Sequence, residues 1–440
     1  MNQKTRLLLP DFARGLALLG IAIANVLTIW CYYDDGFYNR LSVTDYGAIH
    51  YQAGIQQTLD KVTIVLAAMF AHVRGLPMFS TLLGYGIGLI LMRELKAGAR
   101  LSQARMVLIR RYAFLALFGA LHAIFLFSGD IMLLYGGIAV LLSFTISLSD
   151  KWLLVIAGIF FALISIITVG NIIFFLDWNN STAIVDDPSL VGGPGSYPEQ
   201  LLFGLIVVVS SFIRVPAALF SFGPVIILGF VAARRNVLTR IDRYRRHLYV
   251  WAAIYVVIVF GIGLPWGLSM IGVIPGYDIW GELNSSLGVL TGPGFLALLA
   301  LLFDRITTDQ KPQTWMKPFI ALGKRSMSGY LLQSVFFFII VNKYTLHQGV
   351  NASAWKLVAI AFGVWLATFI IAGILEKLKK PGPFEWLHRK IGYGKPKAYT
   401  TFVLSDLEQI KALEYQRTGS EFDFARYVEK HKEQPVTTVV

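Results

Sequence analysis

The chain has 440 residues, of which 56% are hydrophobic and only 15% charged, with a net charge of +13 and a single cysteine. A water-soluble protein of this length carries about a quarter charged residues, so the composition excludes an ordinary soluble domain. One cysteine, Cys31, also excludes an intramolecular disulfide framework and any multi-cysteine metal site.

Apolar stretches recur, many of them long enough to cross a hydrocarbon core about 30 Å thick. They predict an all-α, polytopic membrane bundle of about ten spans, near 9–31, 75–92, 112–129, 131–149, 152–176, 215–233, 248–268, 286–303, 321–342 and 355–375. The first could be mistaken for a cleaved signal peptide. It reads as an uncleaved span because the run continues to Trp30 and carries Asp11, Arg14 and Asn25. The apolar stretches 54–73 and 200–213 precede Arg74 and Arg214, and are expected either as interfacial or re-entrant helices or as extensions of neighbouring spans. Gly84-Tyr85-Gly86-Ile87-Gly88 lies in an apolar run and reads as close helix packing.

Charge placement orients the chain. With both termini in the cytoplasm, 33 of the 39 Lys and Arg residues fall on cytoplasmic segments, as the positive-inside rule requires. This distribution accounts for most of the +13 without nucleic acid. It divides the chain into a transmembrane bundle over 1–375, with halves at 1–150 and 200–375, and a basic cytoplasmic tail over 376–440. Two outward loops are long. Residues 32–60 hold Tyr32, Tyr33, Asp34, Asp35, Asp45 and His50, and residues 177–199 are acidic and rich in Gly and Pro. In the tail, Ser405-Asp406-Leu407-Glu408 has capping-box spacing and predicts a short helix near 406–416.

Ionisable groups at membrane depth are costly and mark candidate sites. Counting about 1.5 Å per helical residue, Asn25 lies roughly 16 Å beyond the Asp11–Arg14 entrance, and His122 roughly 16 Å beyond Arg111. Arg74 precedes the second span and Asp130 begins the fourth, so Asn25, His122, Arg74 and Asp130 share the outer half. Each also has an ordinary reading: Asp130 as a helix cap, His122 as a packed histidine, Asn25 as an interhelical hydrogen bond, Arg74 as a headgroup anchor. His72 is a further imidazole nearer the surface. The basic pairs Arg110-Arg111, Arg234-Arg235 and Lys324-Arg325 serve topology or, alternatively, bind phosphates, which Arg holds bidentately. No Walker loop, dinucleotide fingerprint or HExxH occurs, and scattered histidines suggest no metal site.

The string Leu9-Pro10-Asp11-Phe12-Ala13-Arg14-Gly15, closing with Asn25, resembles the start of the YeiB-like family of bacterial inner-membrane proteins. So do Phe79-Ser80-Thr81-Leu82-Leu83-Gly84, Gly119-Ala120-Leu121-His122, and Ser128-Gly129-Asp130-Ile131 with Tyr135. Toward the C-terminus, Gly323-Lys324-Arg325-Ser326-Met327-Ser328 and Gly382-Pro383-Phe384-Glu385-Trp386 do the same. The first-span pattern is also similar to that of heparan-alpha-glucosaminide N-acetyltransferase and the membrane acyltransferases of bacterial glycans. That likeness implies an inner-membrane enzyme using cytosolic acyl-CoA, acetyl-CoA first, to modify an extracytoplasmic hydroxyl or amine such as a glycan or lipid-linked sugar. Asn25 matches the Asn that closes the first span there. No His stands between Trp30 and Arg40, so His122 or His72 becomes the expected base, with Asn25 and Arg74 as oxyanion donors and Asp130 orienting the base. The acyl-CoA phosphates are expected on Arg14, Arg110, Arg111, Lys324 and Arg325. Expected partners are the bilayer and a small-molecule or glycan acceptor, and a homo-oligomer stays open. A metabolite or lipid transporter, with the same polar residues lining its path, is the alternative.

Overall fold

Residue patterning alone predicts where backbone can hide in lipid: only helices satisfy all their N–H and C=O groups there. A computed structural model describes residues 7–30, 55–178, 196–306, 312–342, 344–349 and 352–393, and those residues form helices and connecting turns with no strand among them. Most of loop 32–60, most of loop 177–199, and the predicted helix at 406–416 lie outside the described residues.

Helix α1 is Leu8–Thr28. Helices α2 (Ile55–Phe70) and α3 (Gly75–Lys96) follow each other with only a turn between. Next come α4 (Leu101–Phe125), α5 (Met132–Leu142), α6 (Asp150–Trp178) and α7 (Tyr197–Arg234). Helix α8 (Ile241–Ile258) runs through a π turn at Val259–Gly263 into α9 (Leu264–Met270). The remainder are α10 (Tyr277–Leu287), α11 (Thr291–Ile306), α12 (Lys317–Lys324), α13 (Ser326–Ile340), α14 (Ala354–Lys377) and α15 (Pro383–Tyr393). Among the described residues eight segments are long and apolar enough to cross a membrane, and two shorter apolar helices, α5 and α13, occupy the positions of the predicted spans 131–149 and 321–342. The protein is thus a polytopic helical membrane protein.

Both ambiguous stretches extend a neighbouring span. Residues 200–213 are the first half of α7, a single helix of 38 residues. Residues 55–70 form α2, which continues into α3 through the break at 71–74. That break is not at the membrane surface: Gly75 lies against the Ala17 carbonyl and Ile21, halfway along α1.

Polar contacts sort by face. On the basic side, Arg234 and Arg235 at the end of α7 meet Asp150 at the start of α6, at 3.3 and 2.9 Å. Arg245 in α8 meets Asp304 near the end of α11 at 2.7 Å, and Lys324 and Arg325 both reach Glu376 in α14 at 2.6 Å. On the other side Asn171 donates to Glu282 at 3.1 Å and the Trp355 amide to Asp60 at 3.0 Å. Each of these joins segments that the charge rule assigns to one side of the membrane.

Close approach rests on small residues, as helices in lipid require. A Cβ on Gly84 of α3 would fall on the Ile226 carbonyl of α7, and one on Gly229 of α7 on the Thr81 carbonyl. The glycine run is therefore a packing face.

The short amphipathic α15 was not foreseen. It is pinned by Glu385, which accepts the Met327 and Ser328 amides at 2.8 and 3.0 Å and the Ser328 hydroxyl, capping α13. A carboxylate accepting free amides at a helix start is a charge-assisted contact. Glu385→Ala is expected to lower the unfolding free energy by about 1–2 kcal/mol. Thermal melts of the purified variant check this, and an unchanged midpoint would remove Glu385 as the cap.

Candidate functional site

The sequence motifs meet because helices α1, α12, α13 and α15 share one corner. A Cβ on Gly15 would fall on the Phe319 carbonyl and one on Gly323 on the Asp11 carbonyl, so α1 and α12 cross backbone to backbone. Beside this crossing opens a cavity of about 250 Å³. Arg14, Arg111, Lys324, His388 and Arg389 line it toward the basic face; Leu18, Ile21, Phe79, Leu82 and Leu115 supply apolar walls; and Ile131, Met132, Tyr135 and Tyr330 close it.

Directly behind that wall stands a buried His–Asp pair. His122 comes from the last turn of α4, Asp130 from the turn before α5. Their Nδ1 and Oδ2 atoms are 2.6 Å apart, with side chains 1% and 0% exposed. The other carboxylate oxygen accepts the Leu133 amide at 2.7 Å, so the helix-cap role of Asp130 and its contact with His122 coexist. A Cβ on Gly119 would crowd both Leu133 and this carboxylate, at 2.5 Å from Oδ1, which gives the motif's glycine its reason. Because a carboxylate only accepts, Nδ1 carries the hydrogen, and in the neutral imidazole Nε2 then presents its lone pair. That Nε2 is buried and has no hydrogen-bond partner. The ring meets Tyr330 edge-on at 5.4 Å between centroids, and Tyr330 is itself part of the cavity wall. The Tyr330 hydroxyl lies beside the Ile131 backbone, close to the Asp130 carboxylate, and forms no completed hydrogen bond. Away from the cavity, Phe127 borders His122 at 5.9 Å and stacks on Trp30 at 5.0 Å, with Phe337 beside the indole at 6.0 Å.

At the cavity mouth, Arg14 pairs with Asp11 at 3.4 Å. His388 Nε2 lies 2.9 Å from the Arg111 carbonyl. Burial, and then the Arg111 guanidinium, hold the His388 imidazole down at about 4, so it is neutral at pH 7 and donates to that carbonyl.

The structure gathers some expected residues and separates others. His122 and Asp130 are joined, and Arg14, Arg111 and Lys324 share the cavity mouth. Arg110 donates instead to the Ile391 carbonyl at 3.1 Å, and Arg325 to Glu376 and to the Ala321 and Lys380 carbonyls. Both act as ties between helices. Asn25 is half-buried near the far end of α1 and makes no hydrogen bond to His122. Arg74 is not beside His122 either. It sits in the break between α2 and α3, 1% exposed, donating to the Met69 and Val73 carbonyls and to Asn284 Oδ1, each at 2.9 Å. His72 is buried with it and meets Trp266 edge-on at 5.6 Å. Sequence reasoning missed Tyr330, His388 and Arg389. The first follows the Gly323–Ser328 motif by two residues, but nothing in its spacing told that its ring would reach His122.

Comparisons with known proteins place the chain beside other uncharacterised bacterial proteins. Residues 232–395 match the family described as "Protein of unknown function (DUF418)". Over 411 residues the chain is 24% identical to "Uncharacterized protein YxaH" of Bacillus subtilis (strain 168), covering 87% of this chain and 93% of that one. It is 25% identical over 407 residues to "Uncharacterized protein YeiB" of Escherichia coli (strain K12), covering 87% and 94%. It is 21% identical over 399 residues to "Uncharacterized 39.9 kDa protein in amylase 3'region" of Bacillus acidopullulyticus, covering 88% and 93%. No solved structure matches the chain significantly. The chain is thus similar over most of its length to YeiB-like membrane proteins, and its residues 232–395 match the DUF418 family.

Proposed function

We propose that the protein is a bacterial inner-membrane acyltransferase. It takes an acyl group, acetyl first among candidates, from cytosolic acyl-CoA and passes it to a hydroxyl or amine of an extracytoplasmic glycan or lipid-linked sugar. One observation carries this reading: a cavity with a cationic mouth ends at a wall immediately in front of a buried imidazole whose Nε2 is unengaged. Arg14, Arg111, Lys324 and Arg389 suit the phosphates of coenzyme A, and the apolar walls suit its pantetheine arm. His122 Nε2 takes the acceptor proton as its oxygen or nitrogen attacks the thioester carbonyl. The carbon–sulfur bond then breaks, and the CoA thiolate leaves and recovers a proton. Asp130 holds the imidazole in the working tautomer throughout. The Tyr330 hydroxyl, in the cavity wall and beside the His122 ring, would donate to the developing oxyanion; this role replaces the one expected of Arg74.

Transport of a small metabolite or lipid is the second reading, and the helix break at 71–74 favours it, since discontinuous helices at mid-membrane build many transporter sites. Coenzyme A binding separates the two. A ligand that binds only the folded state raises its apparent stability. Acetyl-CoA and free CoA are expected to raise the melting midpoint of the detergent-purified protein, and ATP to leave it unchanged. Arg111→Glu should abolish the shift. No shift with any of several acyl-CoAs would transfer the case to the transporter.

A further inference from the structure

Around the break between α2 and α3 lie several buried nitrogens without a hydrogen-bond partner, beside a guanidinium that no carboxylate among the described residues neutralises. The Arg74 guanidinium is 1% exposed and no carboxylate among the described residues pairs with it; its oxygen partners are backbone carbonyls and Asn284. Asn284 is 0% exposed, and while its Oδ1 serves Arg74, its Nδ2 has no partner. Two more buried nitrogens, Trp266 Nε1 and His72 Nε2, are likewise without partners, and their rings touch edge-on. Trp266 Nε1 lies beside Gly281, one helical turn before Asn284 on α10.

The backbone is irregular on both sides of this cluster. Val73, a β-branched residue, holds φ at +53° in the break, a conformation that costs energy and persists only where the surroundings enforce it. Its carbonyl is held by the Thr291 hydroxyl at 3.0 Å as well as by Arg74. Opposite, the π turn Val259–Gly263 sets Gly263 against the guanidinium, where a Cβ would come within 2.7 Å of Nη2. A net positive charge and unpartnered polar nitrogens in a buried interior are each unfavourable alone. One negative ion placed among them would give these groups a common partner.

We propose that Arg74, Asn284, Trp266 and His72 form a binding site for one small monovalent anion, of halide or formate size, at mid-membrane. Most of the guanidinium is already committed to carbonyls, so a large or divalent anion such as phosphate does not fit. The site shares no residue with the cavity or with His122, so it stands or falls apart from the acyl-transfer reading.

The test follows the thermal midpoint of the full-length protein in detergent, at constant ionic strength, as gluconate is replaced by chloride, by formate or by sulfate. Chloride or formate is expected to raise the midpoint saturably by about 2 °C or more, and sulfate not at all. The difference between the chloride and formate curves tells a halide from a carboxylate. Arg74→Gln should lose the response, but it could also fail to fold. Asn284→Asp is the cleaner variant, because its carboxylate supplies the missing charge in place. It should elute as a folded protein, match or exceed the wild-type midpoint in gluconate, and show no further rise with chloride or formate. An equal midpoint in all anions would overturn the site, and so would an undiminished chloride response in Asn284→Asp.

Discussion

His122→Gln is expected to reduce acyl transfer about 10²–10⁴-fold, the range a positioned general base contributes, while leaving the amount of folded protein near wild type. Glutamine keeps a donor for Asp130 Oδ2, which now receives His122 Nδ1 at 2.6 Å. The carboxylate therefore stays partnered, and only the lone pair of Nε2 is lost. His122→Ala removes the same base but strands a fully buried carboxylate, a change that costs several kcal/mol and confuses lost chemistry with lost fold. The measurement is release of the CoA thiol from acetyl-CoA by purified protein in the presence of native membrane and glycan extracts. A rate unchanged in the Gln variant would remove His122 from the mechanism. Binding of CoA should survive in it, because the cavity mouth is untouched.

The second large effect concerns the α1–α12 crossing. Gly323→Val is expected to leave little or no folded protein, because its Cβ would fall on the Asp11 carbonyl, which is backbone and cannot swing aside. Overpacking against side chains typically costs about 1–3 kcal/mol, and a backbone clash exceeds that. Gly363→Ala, in the middle of α14 with nothing within 4 Å of the added Cβ, is the matched control. There the substitution should be neutral or stabilise by up to about 1 kcal/mol through helix propensity. Size-exclusion profiles of the two variants decide the point. Equal profiles would mean that α1 and α12 do not cross so closely.

Much of the fold was legible in the sequence because lipid imposes a coarse and local rule. A run of apolar residues of sufficient length must be helical, and Lys and Arg mark its cytoplasmic end. That logic placed Asp150 with Arg234, and Glu376 with Lys324 and Arg325, on one face before any contact was known. It failed at the break before Arg74. Hydropathy registers that residues 55–73 are apolar but not that the chain turns at mid-membrane, since φ at Val73 is set by Thr291 and Arg74, neither of which alters the apolar count. The depth rule placed His122 near Asp130 because both flank one short turn. It also placed Arg74 and Asn25 at compatible depth, but depth is a single coordinate. Arg74 faces α10 through Asn284, whereas His122 faces α13 through Tyr330. The azimuth of each helix, fixed by packing against non-neighbours, was the missing quantity. Glu385 shows the same limit: its motif was recognised, but a carboxylate capping a helix 57 residues earlier leaves no local signature.

The three clamps on the basic face have a consequence for biogenesis. Each fastens the start of an outgoing helix to the end of a later returning one: Asp150 of α6 to Arg234 of α7, Arg245 of α8 to Asp304 of α11, and Arg325, just ahead of α13, to Glu376 of α14. Partly exposed ion pairs of this kind add only about 0–1 kcal/mol, so their value lies in choosing partners more than in strength. Each clamp can close only when the returning helix has emerged, and it closes on the side where the ribosome delivers the chain. The three clamps are therefore placed so that each helical loop can be latched once its returning helix has emerged.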